Sequence, residues 1–211
     1  MTEDEAKCWL TEVLAVPRET YAMLDKLRML VIKESALQNL VSASTIDHFW
    51  ARHIADSAQL LPLAHDAPPG AWLDLGTGAG FPGLVVAILT SRPMILVESR
   101  RKRFEFLINA AQQLNLPHVS VHCGRLETLE TRSVSAISAR AFAPLPRLLE
   151  LAVRFSRIET VWLLPKGRGA NDELALIDQL WQGKFHVNQS VTDEHAAIIV
   201  ARGVSLRKQA K

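Results

Sequence analysis

Apolar residues recur along the chain with two different periods, and the change between them falls near residue 70. Residues 3–15 and 18–34 carry apolar positions at helical spacing, with Pro17 between the two segments. A third helical pattern covers residues 46–62 and places His53 on its apolar face. The pattern therefore predicts an N-terminal helical extension over residues 1–66.

After residue 70, short apolar runs alternate with helical segments. The pattern predicts strands at 71–75, 94–98, 118–122, 134–138 and 159–164, and helices near 82–91, 100–115, 144–155 and 171–182. This alternation is typical of a doubly wound parallel sheet. Residues 184–191 and 195–201 look like two more strands without a helix between them, and such a terminal hairpin is typical of methyltransferase folds rather than dinucleotide domains.

We therefore expect an α/β fold of the Rossmann-like class I methyltransferase type. Its mostly parallel, seven-stranded sheet would occupy residues 67–211, packed as one unit with the extension. With 48% hydrophobic and 22% charged residues, the composition is ordinary for a globular protein, and no apolar stretch is long enough to cross a bilayer.

The ends of the chain and its cysteines bear on location and partners. The acidic start, MTEDEAK, lacks the features of a signal peptide, so we expect a cytoplasmic protein. Cys8 and Cys123 fit a reducing compartment and have no metal-ligand spacing, so no metal is expected. The net charge of +2 permits a polyanionic partner without requiring one, and a further basic pair, Arg207 and Lys208, lies near the C-terminus.

A glycine-rich turn interrupts the apolar run of residues 72–89, WLDLGTGAGFPGLVVAIL. Gly76, Gly78 and Gly80 form the G-x-G-x-G pattern of S-adenosylmethionine binders, whereas Gly78, Gly80 and Gly83 form the G-x-G-x-x-G pattern of dinucleotide binders. In both, glycines bring a ligand close to backbone N–H groups at a helix N-terminus. The turn predicts a cofactor site but does not choose between the two cofactors.

Polar residues at the ends of the first three predicted strands surround this turn. Asp74 is expected to hold the cofactor's amino-acid part or orient the loop, or alternatively only to cap loop N–H groups. Glu98 is placed to accept hydrogen bonds from ribose hydroxyls, or alternatively to pair with nearby arginines. Leu126 and Glu127 follow the third strand, where packing and the backbone or carboxylate could hold an adenine.

The fourth predicted strand ends in Ser138-Ala-Arg140-Ala141, where the methyl acceptor of such a fold should lie. This strand end offers neither the Asn/Asp-Pro-Pro-aromatic motif that amino-group methylases commonly carry here nor the nucleophilic cysteine that cytosine C5 enzymes need. Guanine N7 needs neither, because its lone pair is free at neutral pH. Positioning would then supply roughly 7 to 11 kcal/mol. Arg140 is expected to orient the cofactor or the base, or alternatively to pair with Asp74 or Glu127.

Two basic groups follow strand ends and are predicted to bind RNA phosphates. Arg101 and Lys102 follow the second strand, and Lys166 and Arg168 follow the fifth. The alternative for each group is a solvated surface.

His53 and Asp56 are three positions apart and share a helix face. They are candidates for RNA binding or for the junction between the extension and the sheet. The apolar stripe favours a buried, hydrogen-bonded His53.

Taken in order, these motifs resemble the bacterial small-subunit rRNA guanine-N7 methyltransferase family, also called the glucose-inhibited division protein B family. The resemblance rests on Asn39–Leu40, Trp50–Ser57, Asp74–Gly83, Glu98–Arg103, Gly124–Glu127, Ser138–Ala141 and Lys166–Gly167, and so covers nearly the whole chain. Family members commonly have threonine where this chain has Val41, which weakens any role for that loop.

The resemblance implies S-adenosylmethionine as cofactor, contacted by Gly76, Phe81, Leu126, Glu127 and Arg140, with Glu98 near its ribose. It implies as substrate a guanine, guanine-527, in the 530 loop of 16S rRNA, within the 30S subunit or its precursor. The expected protein is a monomer with no membrane partner.

Two other functions remain open at this point. An NAD-dependent oxidoreductase would use Gly78, Gly80 and Gly83, but the chain lacks a Tyr-x-x-x-Lys proton relay and its only tyrosine is Tyr21. A binding module that keeps the fold without transfer is disfavoured by the intact glycines, Glu98 and Arg140.

Overall fold

The structure is a computed structural model that describes residues 1–177 and 179–207. Its centre is a seven-stranded sheet in the order β3-β2-β1-β4-β5-β7-β6. The strands are β1 (Trp72–Leu75), β2 (Met94–Glu98), β3 (Val119–Cys123), β4 (Ala136–Ala139), β5 (Val161–Lys166), β6 (Trp181–Gln189) and β7 (Ala197–Leu206). The first five strands pair in parallel, whereas β7 is antiparallel to both β5 and β6. The predicted sheet and its terminal hairpin are confirmed.

Four helices follow the strands: α5 (Gly83–Leu89), α6 (Arg101–Gln113), α7 (Leu145–Ala152) and α8 (Ala170–Ala175). The helix predicted over residues 171–182 is wrong in its second half, because β6 already begins at Trp181. Ile177 and Trp181 are both 3% exposed within the apolar cluster on one face of the sheet. Burial of these side chains overrides the helical preference of the local sequence.

The N-terminal region consists of α1 (Glu3–Cys8), a π-helical turn (Trp9–Val13) and α2 (Arg18–Ser35), followed by a broken helical segment. That segment comprises a 3₁₀ helix (Ala43–His48), a second π-helical turn (Trp50–Ala55), α3 (Asp56–Ala58) and α4 (Leu60–Leu63). The single helix predicted over residues 46–62 is therefore wrong. The carboxylate of Glu3 accepts hydrogen bonds from the backbone N–H groups of Trp50 (3.1 Å) and Ala51 (2.9 Å), so a new helical start is capped at this point.

Two apolar clusters cover the two faces of the sheet. One contains α7 and residues from the terminal hairpin. The other joins α5 and α6 to the N-terminal helices, with Leu24, Leu27 and Val31 of α2 fully buried in it. The extension and the sheet thus share one core, while the division at residue 66 stays a prediction. The carboxyl ends of the parallel strands meet at one edge, and every candidate site residue of β1 to β5 lies there.

Candidate active site

Asp74 anchors the glycine turn from beneath. It ends β1 with no exposed surface, and its Oδ2 accepts a hydrogen bond from the N–H of Gly83 at 3.0 Å. Its Oδ1 accepts from the hydroxyl of Ser138 on β4 at 2.6 Å. Burial raises the pKa of Asp74 to about 6, although these hydrogen bonds oppose the rise. This geometry matches the alternative role of capping loop N–H groups.

Gly76 must be glycine for two reasons. Its φ is +62°, in the left-handed region, and a Cβ there would lie 2.7 Å from Cδ2 of Phe142. The turn therefore brings the backbone against an aromatic ring from the loop after β4.

Glu98 fastens the same turn to the end of β2. Its Oε2 accepts from the N–H of Gly78 (3.1 Å) and its Oε1 from the N–H of Arg100 (2.7 Å). The side chain is 5% exposed. Each carboxylate oxygen retains a second lone pair for another donor. The predicted contact with a ribose stays a prediction.

A cavity of about 260 Å³ opens at the ends of β1, β2 and β3. Its walls include Val97, Ser99 and Gly124, together with Gly76, Leu126 and Glu127 from the predicted cofactor set. The structure thus brings three predicted residues around one space that has both apolar and polar lining residues. Of the other predicted cofactor residues, Gly78, Gly80 and Phe81 belong to the turn, and Asp74 and Glu98 lie behind it at the ends of β1 and β2. Arg140, also predicted to contact the cofactor, lines a different space.

A larger cleft, of about 910 Å³, lies beside this cavity at the ends of β4 and β5. Arg140 and Lys166 reach it from the sheet, Asp56 from the N-terminal region, and Thr192 from the β6–β7 connection. Phe142 lines both spaces. The loop after β4 is therefore their common wall.

Arg140 is held at the edge of this cleft by the N-terminal region. Its Nη1 donates to Oδ2 of Asp56 (3.0 Å) and to the carbonyl of Arg52 (3.2 Å). Its guanidinium carbon lies 5.4 Å from the ring centroid of Phe81.

The alternative pairing of Arg140 with Asp74 or Glu127 is therefore wrong. Asp74 is fully buried and engaged with Gly83 and Ser138, while Glu127 lies 3.5 Å from Arg147. Neither carboxylate is presented to the guanidinium as Asp56 is.

His53 is buried and hydrogen bonded, which confirms the favoured interpretation. Its ring stacks on Phe81 at 5.0 Å, and its Nε2 lies 3.0 Å from the hydroxyl of Thr45. That hydroxyl also lies 2.8 Å from the carbonyl of Ser42, and both hydrogen bonds form together in the tautomer in which Nε2 donates to Thr45. Burial, together with the charges of Arg140 and Arg52, lowers the pKa of His53 to about 3. The imidazole is thus neutral at physiological pH.

Phe81 is 3% exposed and lies under both His53 and Arg140. It supports these two side chains from the turn. Its predicted contact with the cofactor stays a prediction.

Sequence reasoning missed three residues that lie in or directly behind the cleft. Gln59, 4% exposed, donates to Oδ1 of Asp56 at 3.0 Å and accepts from the N–H of Val191 at 2.9 Å. The hydroxyl of Thr192 donates to the same Asp56 oxygen at 3.2 Å. The third residue, Glu173, accepts from the N–H of Leu145 at the start of α7 at 2.7 Å. The one available signal was that Gln59 follows Asp56 by three positions and so shares a helix face with it.

The four predicted RNA-binding cations differ in their surroundings. Lys166 is mostly buried, with its Nζ 2.7 Å from Oε2 of Glu173, whereas Arg168 is exposed beside the cleft. Arg101 and Lys102 are exposed at the start of α6, where Arg101 pairs with Glu105 at 2.7 Å. Of the basic pair near the C-terminus, Arg207 is described and Lys208 lies outside the described residues.

Two further properties concern the described part of the chain as a whole. Residues 1–177 and 179–207 contain no group of three or more His, Cys, Asp or Glu side chains placed to hold a metal ion. Within the same ranges, no helix has both the length and the apolar character needed to cross a membrane.

Comparison with known proteins identifies close relatives over nearly the whole chain. The family model for rRNA small subunit methyltransferase G matches residues 20–201. Ribosomal RNA small subunit methyltransferase G of Sphingopyxis alaskensis is 52% identical over 99% of this chain and 90% of that protein. The protein of the same name from Zymomonas mobilis is 49% identical over 99% of this chain and 97% of that protein.

Solved structures share the fold at low sequence identity. An O-methyltransferase from Bacillus cereus, solved in complex with SAH, superimposes with a TM-score of 0.61 at 16% identity, over 92% of this chain and 95% of that chain. A SAM-dependent methyltransferase from Aquifex aeolicus gives a TM-score of 0.60 at 14% identity, over 80% of this chain and 97% of that chain. These likenesses establish the class I methyltransferase architecture of the chain.

Proposed function

The chain belongs to the rRNA small subunit methyltransferase G family, and from its site we propose that it transfers a methyl group from S-adenosylmethionine to N7 of a guanine in the 530 loop of 16S rRNA. One observation carries the proposal: two spaces at the carboxyl edge of the sheet share the wall formed by Phe142. In open α/β sheets this edge is where ligands bind. The smaller space suits the cofactor, and the larger one suits the acceptor nucleotide.

The residues around the smaller cavity fit a nucleoside. Val97 and Leu126 offer apolar surface to an adenine, and the carboxylate of Glu127 is an acceptor for hydroxyl or amino groups. The carboxylate of Glu98 is a further acceptor at the end of β2, although it does not line the cavity. The approach of the turn at Gly76 fits as well, because a side chain there would fill the space next to Phe142. When bound, S-adenosylmethionine supplies a methyl group on a positively charged sulfur. The chain's own residues have to hold and align the two partners.

The polar groups around the larger cleft support a reaction by alignment. Guanine N7 carries no proton, so no general base is needed there. His53 is neutral, with its Nε2 hydrogen bonded to the Thr45 hydroxyl, and Asp56 is paired with Arg140. Arg140 is the group we propose as catalytic, through contact with the base. Because N7 must keep its lone pair free for the methyl group, the guanidinium donates to the neighbouring O6 rather than to both acceptors.

Phosphate contacts are proposed for the cations along the same edge. Arg168, Arg101 and Lys102 are exposed, while Lys166 must exchange its partner Glu173 for a phosphate if it is to take part. The proposed partner is 16S rRNA, either free or within the 30S subunit or its precursor. We further propose that the protein acts in the cytoplasm as a monomer.

The two competing functions differ from this proposal in their expected ligands. An NAD-dependent oxidoreductase would bind NAD, and both the family membership and the β6–β7 hairpin argue against it. A binding module without transfer would bind S-adenosylhomocysteine and leave RNA unmethylated.

The proposed function is tested with purified protein and methyl-labelled S-adenosylmethionine. Small subunits from a strain that lacks this modification, and the 16S rRNA extracted from them, serve as parallel substrates. We expect incorporation that approaches one methyl group per 16S rRNA on at least one of the two, and calorimetric binding of S-adenosylhomocysteine but not of NAD. Cofactor binding without incorporation on either substrate contradicts transfer, and binding of NAD alone contradicts the cofactor.

A further inference from the structure

We propose that Asp56, which belongs to the N-terminal region, is a positioning residue for Arg140 and thereby makes that region part of the acceptor site. The inference rests on the proposed function, because it concerns how Arg140 meets the guanine. It assigns to the extension a role in catalysis beyond packing against the sheet.

The hydrogen bonds of Arg140 divide its guanidinium into a held side and a free side. A guanidinium has five N–H bonds. The two on Nη1 go to Oδ2 of Asp56 (3.0 Å) and to the carbonyl of Arg52 (3.2 Å). Within residues 1–177 and 179–207 the other three have no hydrogen-bond acceptor, although the side chain lines the cleft. Asp56 thus sets the orientation in which the remaining N–H groups are offered to a substrate.

Asp56 is itself fixed from two further directions. Its Oδ1 accepts from Nε2 of Gln59 at 3.0 Å and from the hydroxyl of Thr192 at 3.2 Å. Its side chain is 19% exposed, and that of Arg140 is 25% exposed. A carboxylate with three donors and little contact with water has little freedom to turn. The ion pair with Asp56 therefore holds the Arg140 guanidinium in one orientation, unlike a solvated surface pair.

The hydrogen bonds around Asp56 join three parts of the chain that are distant in sequence. Arg140 follows β4, Asp56 and Gln59 lie in the broken helical segment, and Thr192 lies in the β6–β7 connection. The amide of Gln59 also lies within hydrogen-bond distance of Ser190, at 3.2 Å, and so ties the connection to the helical segment. The sheet alone supplies Arg140 but neither of the carboxylate and amide groups that orient it.

The flat face of Arg140 is held as well. Its guanidinium carbon lies 5.4 Å from the ring centroid of Phe81, and that ring is stacked against His53. The Phe81 ring and the Asp56 carboxylate together fix both the plane and the direction of the Arg140 guanidinium. A base that meets it is aligned without a search through side-chain conformers, and such alignment is the main catalytic device when no proton has to be moved.

The test compares Asp56→Asn with the wild-type protein under saturating and limiting RNA. Asparagine keeps the shape and removes the charge, so Arg140 loses its counterion. We expect kcat to fall about ten- to hundred-fold, since a small misplacement of an aligning group has an effect of this size. The affinity for S-adenosylhomocysteine should stay within about two-fold, because Asp56 does not line the smaller cavity.

The matched control is Asp25→Asn, which removes an ion pair with Arg28 on α2 and should leave kcat and KM at wild-type values. If Asp56→Asn does not fold, Asp56→Glu retains the charge but displaces the carboxylate by one methylene. It should still lower kcat about ten-fold.

A spectroscopic measurement separates positioning from a general structural role. Arginine side-chain NMR reports rotation of the guanidinium, and the Arg140 signal is assigned by its loss in Arg140→Gln. We expect restricted rotation in the wild-type protein and averaged signals in Asp56→Asn, or altered signals in Asp56→Glu. A loss of kcat with an unchanged Arg140 signal, or an unchanged kcat, overturns the inference. If the wild-type protein itself transfers no methyl group, it is the proposed function that has failed.

Discussion

The pKa of Asp74 predicts an unusual pH dependence of stability. The carboxyl has a pKa of about 6 in the folded protein, against an ordinary value of 3.8. Between these two values the folded state holds a proton that the unfolded chain has released. The stabilisation from this difference is complete below the lower value and is lost as the pH rises through about 6. Since one pKa unit corresponds to 1.36 kcal/mol, the full effect amounts to about 3 kcal/mol.

Asp74→Asn isolates this contribution because an amide does not ionise in this range. In asparagine an NH2 donor replaces one of the two oxygens that accept from Gly83 and Ser138, so the substitution also alters the local hydrogen bonding. The informative quantity is therefore how the stability difference between the two proteins changes with pH. From about pH 4.5 to about pH 7.5, the wild-type protein should lose about 2 kcal/mol relative to the variant.

Urea unfolding followed by tryptophan fluorescence measures both proteins at a series of pH values, and Trp72 and Trp162 are buried reporters next to the site. A stability difference that stays constant over this pH range would refute the reasoning, because it would mean that the Asp74 carboxyl does not titrate there. A wild-type protein that gains stability relative to the variant as the pH rises would show that hydrogen bonds outweigh burial.

Three further predictions concern the turn, the proposed catalytic residue and the buried imidazole. Gly78→Val puts a β-branched side chain at a φ of +59° and should weaken S-adenosylhomocysteine binding by at least about ten-fold; unchanged calorimetric affinity would remove the turn from the cofactor site. Arg140→Ala should lower methyl transfer by at least about a hundred-fold, with a near-normal melting temperature, because Asp56 keeps two other donors; near-normal transfer would exclude Arg140. His53, with a pKa of about 3, should show ring-proton NMR shifts that are constant between about pH 5 and about pH 8, and a ring transition near the ordinary pKa of 6.5 would contradict this. The neutral imidazole stabilises the folded protein above pH 6.5, and this stabilisation should be lost as the pH falls towards 3.

The parts of the fold that follow from local patterns could be predicted from the sequence. The five parallel strands are short apolar runs that alternate with helical segments, and the terminal hairpin is two apolar runs without a helix between them; the structure contains all seven strands. The broken segment could not be predicted, because its second start is capped by Glu3, which is 47 and 48 positions away from its partners. The predicted helix over residues 171–182 failed at Trp181 for a similar reason, because the burial of this residue at the start of β6 depends on the whole sheet.

The candidate site divides in the same way. Gly76, Leu126 and Glu127 follow strand ends, so topology alone places them around one cavity. The predicted ion-pair partners of Arg140 were wrong because reasoning from strand ends considers only residues of the sheet. Asp56 comes from the helical region, and its own support crosses 136 positions to Thr192. Contacts of this length depend on how the layers pack, which no local pattern encodes.

The most direct test of the methyl-transfer account is the chemical position of the methyl group on the RNA. N7-methylation makes a guanosine sensitive to borohydride reduction, after which aniline cleaves the strand at that nucleotide. Applied to 16S rRNA after reaction with the wild-type protein and S-adenosylmethionine, this treatment should give one new cleavage, within the 530 loop, and none with Arg140→Ala. A labelled methyl group on RNA that is not cleaved there, or cleavage at another site, would contradict the assignment of guanine N7 as the acceptor.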